Sequence, residues 1–164
     1  MTRPALASPP PHAQLTESEQ PMFLPDVNIL VYAHRLDAPE HAAYVKWLEA
    51  LATAHEPFAM SELVMSGFLR LVTNPRIFAV PTPPAMAMEF LDELTNRPGC
   101  RQVRPGPRHW EIFRELCAKT QATGALVADV FHAALAIEHG CEWVTSDADF
   151  ARIPGLRWRH PLAL

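Results

Sequence analysis

Acidic side chains lie at several boundaries between predicted secondary-structure elements. Each follows a short apolar strand or opens a helix: Asp26, Glu62, Asp129, Asp147 and Asp149. In an open α/β sheet, functional sites form outside the carboxyl ends of the strands. We therefore expect these acids to collect at one edge of the sheet.

Each acid also has a purely structural interpretation. A carboxylate in the first turn of a helix stabilises the helix dipole, which would account for Glu62 and for Asp129, expected in the first turn of its helix. Asp26 with Asn28 would make an ordinary Asx turn. However, Asp26 and Glu62 lie in strongly apolar sequence, where an unpaired carboxylate is costly to bury. The chain offers only two lysines to pair them, Lys46 and Lys119. These surroundings favour a functional site.

The chemistry that suits such a site is metal-dependent. Clustered carboxylates repel one another, and in isolation some of them would be protonated. A divalent cation removes that penalty, and oxygen ligands favour Mg²⁺, with Mn²⁺ as a substitute. Such an ion orients a phosphodiester and lowers the pKa of an attacking water. The sequence contains no P-loop, GxSxG or HExxH motif that would indicate another chemistry.

The elements that must position these acids alternate along the chain. Apolar residues at helical spacing predict helices around residues 44–51, 87–94, 110–117 and 127–134, and residues 63–72 are apolar nearly all round, which predicts a buried helix. Short strand-like segments lie between them, at 23–24, 57–60, 102–103, 143–145 and 156–158. This alternation predicts an α/β sandwich around a mostly parallel sheet.

Composition limits the remaining possibilities. A chain of 164 residues suggests one domain, and its net charge of −4 argues against a charge-driven nucleic-acid binder, although local basic patches stay possible. No apolar run approaches the length of a membrane helix. The three cysteines form no CxxC pair, which is typical of a reduced, cytoplasmic protein. Residues 1–21 hold five of the 17 prolines and predict a disordered extension before a folded domain at 22–164.

Four segments, taken in order, resemble PIN-domain ribonucleases of the VapC type, which are the toxins of type II toxin–antitoxin pairs. The segments are 24–30 (LPDVNIL), 68–76 (FLRLVTNPR), 129–140 (DVFHAALAIEHG) and 145–156 (TSDADFARIPGL). The resemblance runs from about residue 22 to the C-terminus. It implies a PIN-like three-layer sandwich, with helices on both sides of a mostly parallel central sheet.

The resemblance also implies an activity and a set of site residues. The activity is that of an endoribonuclease dependent on Mg²⁺ or Mn²⁺. The matching positions supply four catalytic acids that bind metal, which are Asp26, Glu62, Asp129 and Asp147. Asp149 is an additional acid, and Asn28 and Thr145 are supporting polar residues. The family often has Thr after its first acid, where Val27 stands here; that change removes a hydroxyl but no metal ligand.

Substrate and partners follow from the same resemblance. It implies cleavage of tRNA or ribosomal RNA, a VapB-like antitoxin and a homodimer, with no membrane association. Arginines supply nearly all the positive charge for an RNA contact. The first candidates are Arg70 and Arg76, both in the matching segment 68–76. Further candidates, which would otherwise be solvated surface residues, are Arg101, Arg104, Arg108, Arg152, Arg157 and Arg159.

Two other functions stay open at this point. A non-catalytic PIN-like module that binds RNA or a protein is one, although retention of all four acids argues against it. A DNA nuclease of the related flap-nuclease type is the other, although the chain is small for an arch that threads a flap.

Overall fold

The structure of the protein is a computed structural model that describes residues 21–163. The predicted extension therefore lies outside the described residues, apart from Pro21. Within them the order is β1 (Phe23–Pro25), α1 (Val27–His34), α2 (His41–Thr53), β2 (Phe58–Ser61), α3 (Glu62–Val72), α4 (Pro84–Thr95), β3 (Cys100–Val103), α5 (His109–Thr120), α6 (Ala125–Glu138), β4 (Glu142–Val144), a 3₁₀ turn (Ala148–Arg152) and β5 (Trp158–Arg159). No helix among residues 21–163 has the length and apolar character needed to cross a bilayer.

Every strand pairing in this part of the chain is parallel. β1 pairs with β4, and β4 pairs with β5, in one three-stranded sheet. β2 pairs with β3 in a second sheet, and β2 lies beside β1. Helices cover β1, β2 and β4, which are largely buried, whereas β3 and β5 at the two sides are more exposed. The predicted α/β sandwich with a parallel sheet is confirmed.

The core lies where helices α1, α3 and α6 pack against the strands. Leu24, Phe58 and Trp143 from β1, β2 and β4 are almost completely buried. On α6, Ala133 and Ala136 are fully buried, and their small side chains allow close approach to the sheet. The helix that carries Asp129 is thereby fixed against the strands whose ends carry the other acids.

Three details differ from the sequence-based expectations. Residues 27–34 form a helix that the short apolar segment did not reveal, because its apolar residues permit several assignments. α3 buries only one face, through Val64, Phe68 and Val72, so the expectation of a helix buried all round is wrong. α6 begins at Ala125, which places Asp129 in its second turn rather than its first.

Close packing of α1 on α3 depends on Gly67. A Cβ placed at this position would lie 2.9 Å from Cγ2 of Val27, which directly follows Asp26. We expect Gly67→Ala to destabilise the protein, because overpacking costs about 1–3 kcal/mol and outweighs the gain of about 1 kcal/mol in helix propensity. Urea denaturation measures the change. Adding Val27→Ala should restore the lost stability, and Ser66→Ala on the exposed side of α3 is the control; a fully stable Gly67→Ala would contradict this packing.

Candidate metal and active site

Two paired parallel strands place Asp26 and Thr145 side by side at their carboxyl ends. Pro25 and Val144 are register partners at the ends of β1 and β4, so the next residue of each strand leaves the sheet beside the other. The backbone N–H of Asp26 donates to the carbonyl of Val144 at 2.8 Å. Thr145 Oγ1 then donates to Asp26 Oδ2 at 2.7 Å, in a position that is buried on both sides.

Asp26 is also the N-cap of α1. Its Oδ1 accepts the N–H of Val27 at 2.6 Å, which satisfies one of the unpaired donors at the start of that helix. The two carboxylate oxygens thus have separate partners, the helix N–H and the threonine hydroxyl. This arrangement fixes the orientation of the carboxylate before any ligand is present.

The hydroxyl of Thr145 uses its full hydrogen-bonding capacity. Besides donating to Asp26, it accepts from Asn28 Nδ2 at 3.2 Å and from the N–H of Asp147 at 3.0 Å. The amide oxygen of Asn28 lies 3.5 Å from the donating N–H of Ser146. Asn28 and Thr145 therefore tie the first acidic segment to the loop that carries Asp147, and their support of a metal ligand stays a prediction.

The loop after β4 presents two further carboxylates. Oδ1 of Asp147 accepts the N–H of Asp149 at 2.9 Å and so caps the 3₁₀ turn. Both side chains are exposed. Asp149 also forms an ion pair with Arg152, at 3.4 Å. Asp147 and Asp149 are thus oriented by the local turn, with oxygen atoms available to a ligand.

Electrostatic repulsion connects the aspartates. Burial raises the pKa of Asp26 to about 6, with opposing effects from the Thr145 and Val27 hydrogen bonds and further increases from the charges of Asp129 and Asp147. The pKa of half-buried Asp129 is also raised, first by burial and then by Asp147 and Asp149. The structure therefore brings Asp147 near enough to Asp26 and Asp129 for its charge to raise the pKa of both.

Glu62 lies at the end of the neighbouring strand but faces a different partner. It is the first residue of α3, where a carboxylate complements the helix dipole. Its side chain is 59% exposed and forms an ion pair with Arg104. No group of three His, Cys, Asp or Glu side chains in residues 21–163 already has the arrangement of a metal-binding cluster. Convergence of all the predicted acids on one cation stays a prediction.

The donor set nevertheless fits a hard divalent cation. The aspartate side chains offer only oxygen atoms, and their mutual repulsion is the penalty that a cation would relieve. Within the described residues, the only ion pair of these aspartates is that between Asp149 and Arg152. Asp26, Asp129 and Asp147 therefore retain charge that a bound cation can neutralise.

The raised pKa of Asp26 predicts a pH dependence of stability in the metal-free protein. The folded state binds this proton more tightly than the unfolded state, whose Asp pKa is close to 3.8. Stability should therefore fall as pH rises from about 4 to about 6, by at most about 3 kcal/mol for a shift of about 2 units. Urea denaturation with a chelator present at pH 4 and pH 7 checks this. The decrease should be smaller in Asp26→Asn, and an equal decrease would contradict it.

Two of the predicted RNA-contacting arginines, Arg70 and Arg76, lie at the opposite end of α3 from Glu62. Arg70 is in the last turn of α3, about 12 Å along the helix axis from Glu62. Arg76 lies beyond the end of that helix, and both side chains are exposed. His132, on the helix of Asp129, stacks on Trp143 at a centroid separation of 5.1 Å. Burial lowers its pKa to about 4, so His132 is a neutral packing residue at pH 7.

Sequence reasoning missed a contact between the loop after β3 and the C-terminal end of α6. Glu138 accepts the N–H groups of Gly106 and Arg108 at 2.8 and 3.0 Å. A Cβ on Gly106 would lie 2.6 Å from Oε1 of Glu138, so any other residue there would displace the Glu138 carboxylate. The Pro-Gly-Pro sequence at 105–107 signalled a turn, but not the residue that fixes it.

With this geometry in view, comparison with known proteins identifies the family. The family model for the PIN domain matches residues 23–156, and the chain belongs to that family. It is 47% identical to Ribonuclease VapC43 of Mycobacterium tuberculosis over 86% of this chain and 96% of that protein. It is 43% identical to Ribonuclease VapC31 of the same species over 85% of this chain and 99% of that protein.

Solved structures share the fold. VapBC2 from Rickettsia felis, solved bound to a DNA fragment from its promoter, has a chain that superimposes with a TM-score of 0.64, at 22% identity, over 85% of this chain and 98% of that one. VapC20 from M. tuberculosis, described as a toxin that cleaves the sarcin–ricin loop, gives a TM-score of 0.55 at 13% identity, over 79% and 92% of the two chains. The predicted PIN-like fold is confirmed.

Proposed function

We propose that this protein is a VapC-type toxin, an endoribonuclease that uses Mg²⁺ or Mn²⁺ to hydrolyse RNA phosphodiesters and so inhibits translation. The observation that carries the proposal is the group of aspartates at the ends of β1 and β4 and on α6, in which burial and then neighbouring aspartate charges raise the pKa of Asp26 and Asp129. The VapC ribonucleases to which the chain is 43–47% identical support the same activity.

In this proposal Asp26, Glu62, Asp129 and Asp147 are the catalytic acids that bind the metal, with Asp149 as an additional ligand. When bound, the ion orients the phosphodiester, lowers the pKa of the attacking water and stabilises the leaving oxygen. Thr145 and the N–H of Val27 hold the Asp26 carboxylate in one orientation. Asn28 fixes Thr145 in turn, so that little reorganisation is needed when the metal binds.

The proposed partners follow from the same relationship. The substrate is a structured RNA, tRNA or ribosomal RNA, and the protein acts in the cytoplasm. A VapB-like antitoxin is the protein partner, supported by structural neighbours that were solved as VapBC complexes. A homodimer is proposed by family analogy alone.

Cleavage assays with purified protein test the proposed function. Total tRNA, ribosomal RNA and single-stranded DNA are incubated with Mg²⁺, with Mn²⁺ or with a chelator. We expect cleavage of RNA in the presence of either metal, none with chelator, and none of DNA. Preferential cleavage of DNA would favour a flap-type nuclease. Tight binding of RNA or of a protein partner without any cleavage would favour the non-catalytic module.

A further inference from the structure

Resting on the proposed function, we propose that Arg104 is a phosphate-binding residue that exchanges partners during the reaction cycle. Arg104 pairs with Glu62 when no metal is bound. When Glu62 turns to the metal, the guanidinium of Arg104 becomes free to bind a phosphate of the RNA. The exchange makes the positive charge available to substrate only when the metal site is filled.

Strand register places the two residues side by side. Ser61 of β2 and Val103 of β3 are register partners at the ends of these parallel strands. Glu62 and Arg104 are the next residues, so they leave the sheet as neighbours. The same relationship joins Asp26 to Thr145 at the ends of β1 and β4. Arg104 thus lies at the same end of the β2–β3 pair as Glu62, and β2 is the strand that lies beside β1.

The main chain at Arg104 is fixed, whereas its side chain is accessible. The carbonyl of Arg104 accepts a hydrogen bond from Nε2 of His139 at 2.7 Å. Two residues later, Glu138 binds the loop through the N–H groups of Gly106 and Arg108. The Arg104 side chain is 64% exposed. Because its main chain is fixed and its guanidinium is exposed, Arg104 can change partners without a change in the backbone conformation.

The strength of the Arg104–Glu62 pair suits an exchange. Both side chains are largely exposed, and ion pairs in that setting contribute little net stability. A divalent cation therefore competes effectively for Glu62. The released guanidinium then offers a planar set of donors that matches phosphate oxygens. Neither Arg70 nor Arg76, at the far end of α3, is placed to act this way.

Metal binding without RNA is the first test. Calorimetry with Mn²⁺ on Arg104→Gln should give an affinity about two- to fivefold higher than wild type, because an exposed ion pair of this size no longer competes for Glu62. In a Glu62→Gln background, the same substitution should have no effect. Arg114→Gln, exposed on α5 and outside the predicted RNA contacts, is the control for loss of one positive charge and should leave Mn²⁺ affinity unchanged.

RNA binding is the second test, and it should move in the opposite direction. Binding of total tRNA is measured in Ca²⁺ at several KCl concentrations. Losing one phosphate contact should weaken binding by Arg104→Gln and reduce the slope of log Kobs against log [salt] by about 0.7. The Arg114→Gln slope should match wild type. If Arg104 had only a structural role, its replacement by Gln would not strengthen metal binding while weakening RNA binding.

The outcomes separate this inference from the proposed function. Unchanged or weaker Mn²⁺ binding by Arg104→Gln, or an unchanged salt slope, overturns the exchange. Wild-type cleavage of RNA is scored over the same Mn²⁺ range. If wild type cleaves and the exchange fails, only this inference is wrong; if wild type does not cleave, the proposed endoribonuclease is wrong. Thermal denaturation confirms that each variant is folded.

Discussion

Asp26→Asn is expected to eliminate metal-dependent RNA cleavage while stabilising the metal-free protein. Loss of one ligand should lower the cleavage rate by about 10²–10³-fold or more, as loss of one electrostatic stabiliser of the transition state does. The same change removes a buried charge whose pKa is about 6. The unfolding free energy at pH 7 should therefore rise by about 1–3 kcal/mol. Initial cleavage rates and urea denaturation measure the two effects.

The control for this variant is Asp37→Asn. Asp37 is an exposed aspartate whose ion pair with Arg35 lies outside the acidic cluster. We expect that change to preserve cleavage and to leave stability unchanged or slightly lower. Added Mg²⁺ should raise the Tm of wild type and of the control, but not of Asp26→Asn. Wild-type rates of cleavage in Asp26→Asn would refute the assigned role of this residue.

Thr145→Val should damage both folding and activity, because one hydroxyl serves three partners. Valine keeps nearly the same shape but removes the hydrogen bond to Oδ2 of the buried Asp26 carboxylate and leaves the N–H of Asp147 without its acceptor. We expect a loss of about 1–3 kcal/mol of stability. The cleavage rate should fall about 10–100-fold, as for other residues that orient metal ligands. Without the Thr145 hydrogen bond, the pKa of Asp26 should rise further.

Thr145→Ser is the matched control because it keeps the hydroxyl and removes only the methyl group. Serine should retain most of the cleavage activity. The pH dependence of the unfolding free energy adds a readout that a simple packing defect would not change. If Thr145→Val and Thr145→Ser were equally active, the hydroxyl would not be the feature that organises the site.

The part of the site that sequence predicted depends on local signals. Asp26, Glu62 and Asp147 could be placed because apolar strand segments end just before them, and parallel strands end at a common edge. Asp129 was proposed because it stands near the start of a predicted helix, and the family segment beginning at that residue supports the assignment. The α/β class followed from the alternation of helical and strand-like segments, which the structure confirms.

The contacts that could not be predicted depend on how strands distant in the sequence are aligned with one another. The pairing of Glu62 with Arg104 requires β2 and β3 to be neighbours with Ser61 opposite Val103, and no local pattern specifies that alignment. The clamp of Glu138 on the loop after β3 likewise joins residues 30 or more positions apart. Arg70 and Arg76 were chosen for their place in a matching segment, and sequence alone did not reveal that α3 carries them away from the acids.

Calorimetric titration with Mn²⁺ at pH 7, without RNA, tests the central claim most directly, since that claim is that the carboxylates of this edge bind a divalent cation. Wild type should bind Mn²⁺, whereas Asp26→Asn should bind at least about tenfold more weakly. Substitution of residues that only hydrogen-bond to a metal ligand already weakens binding by that factor. Equal Mn²⁺ affinity in the two proteins, or no binding by wild type, would contradict the account.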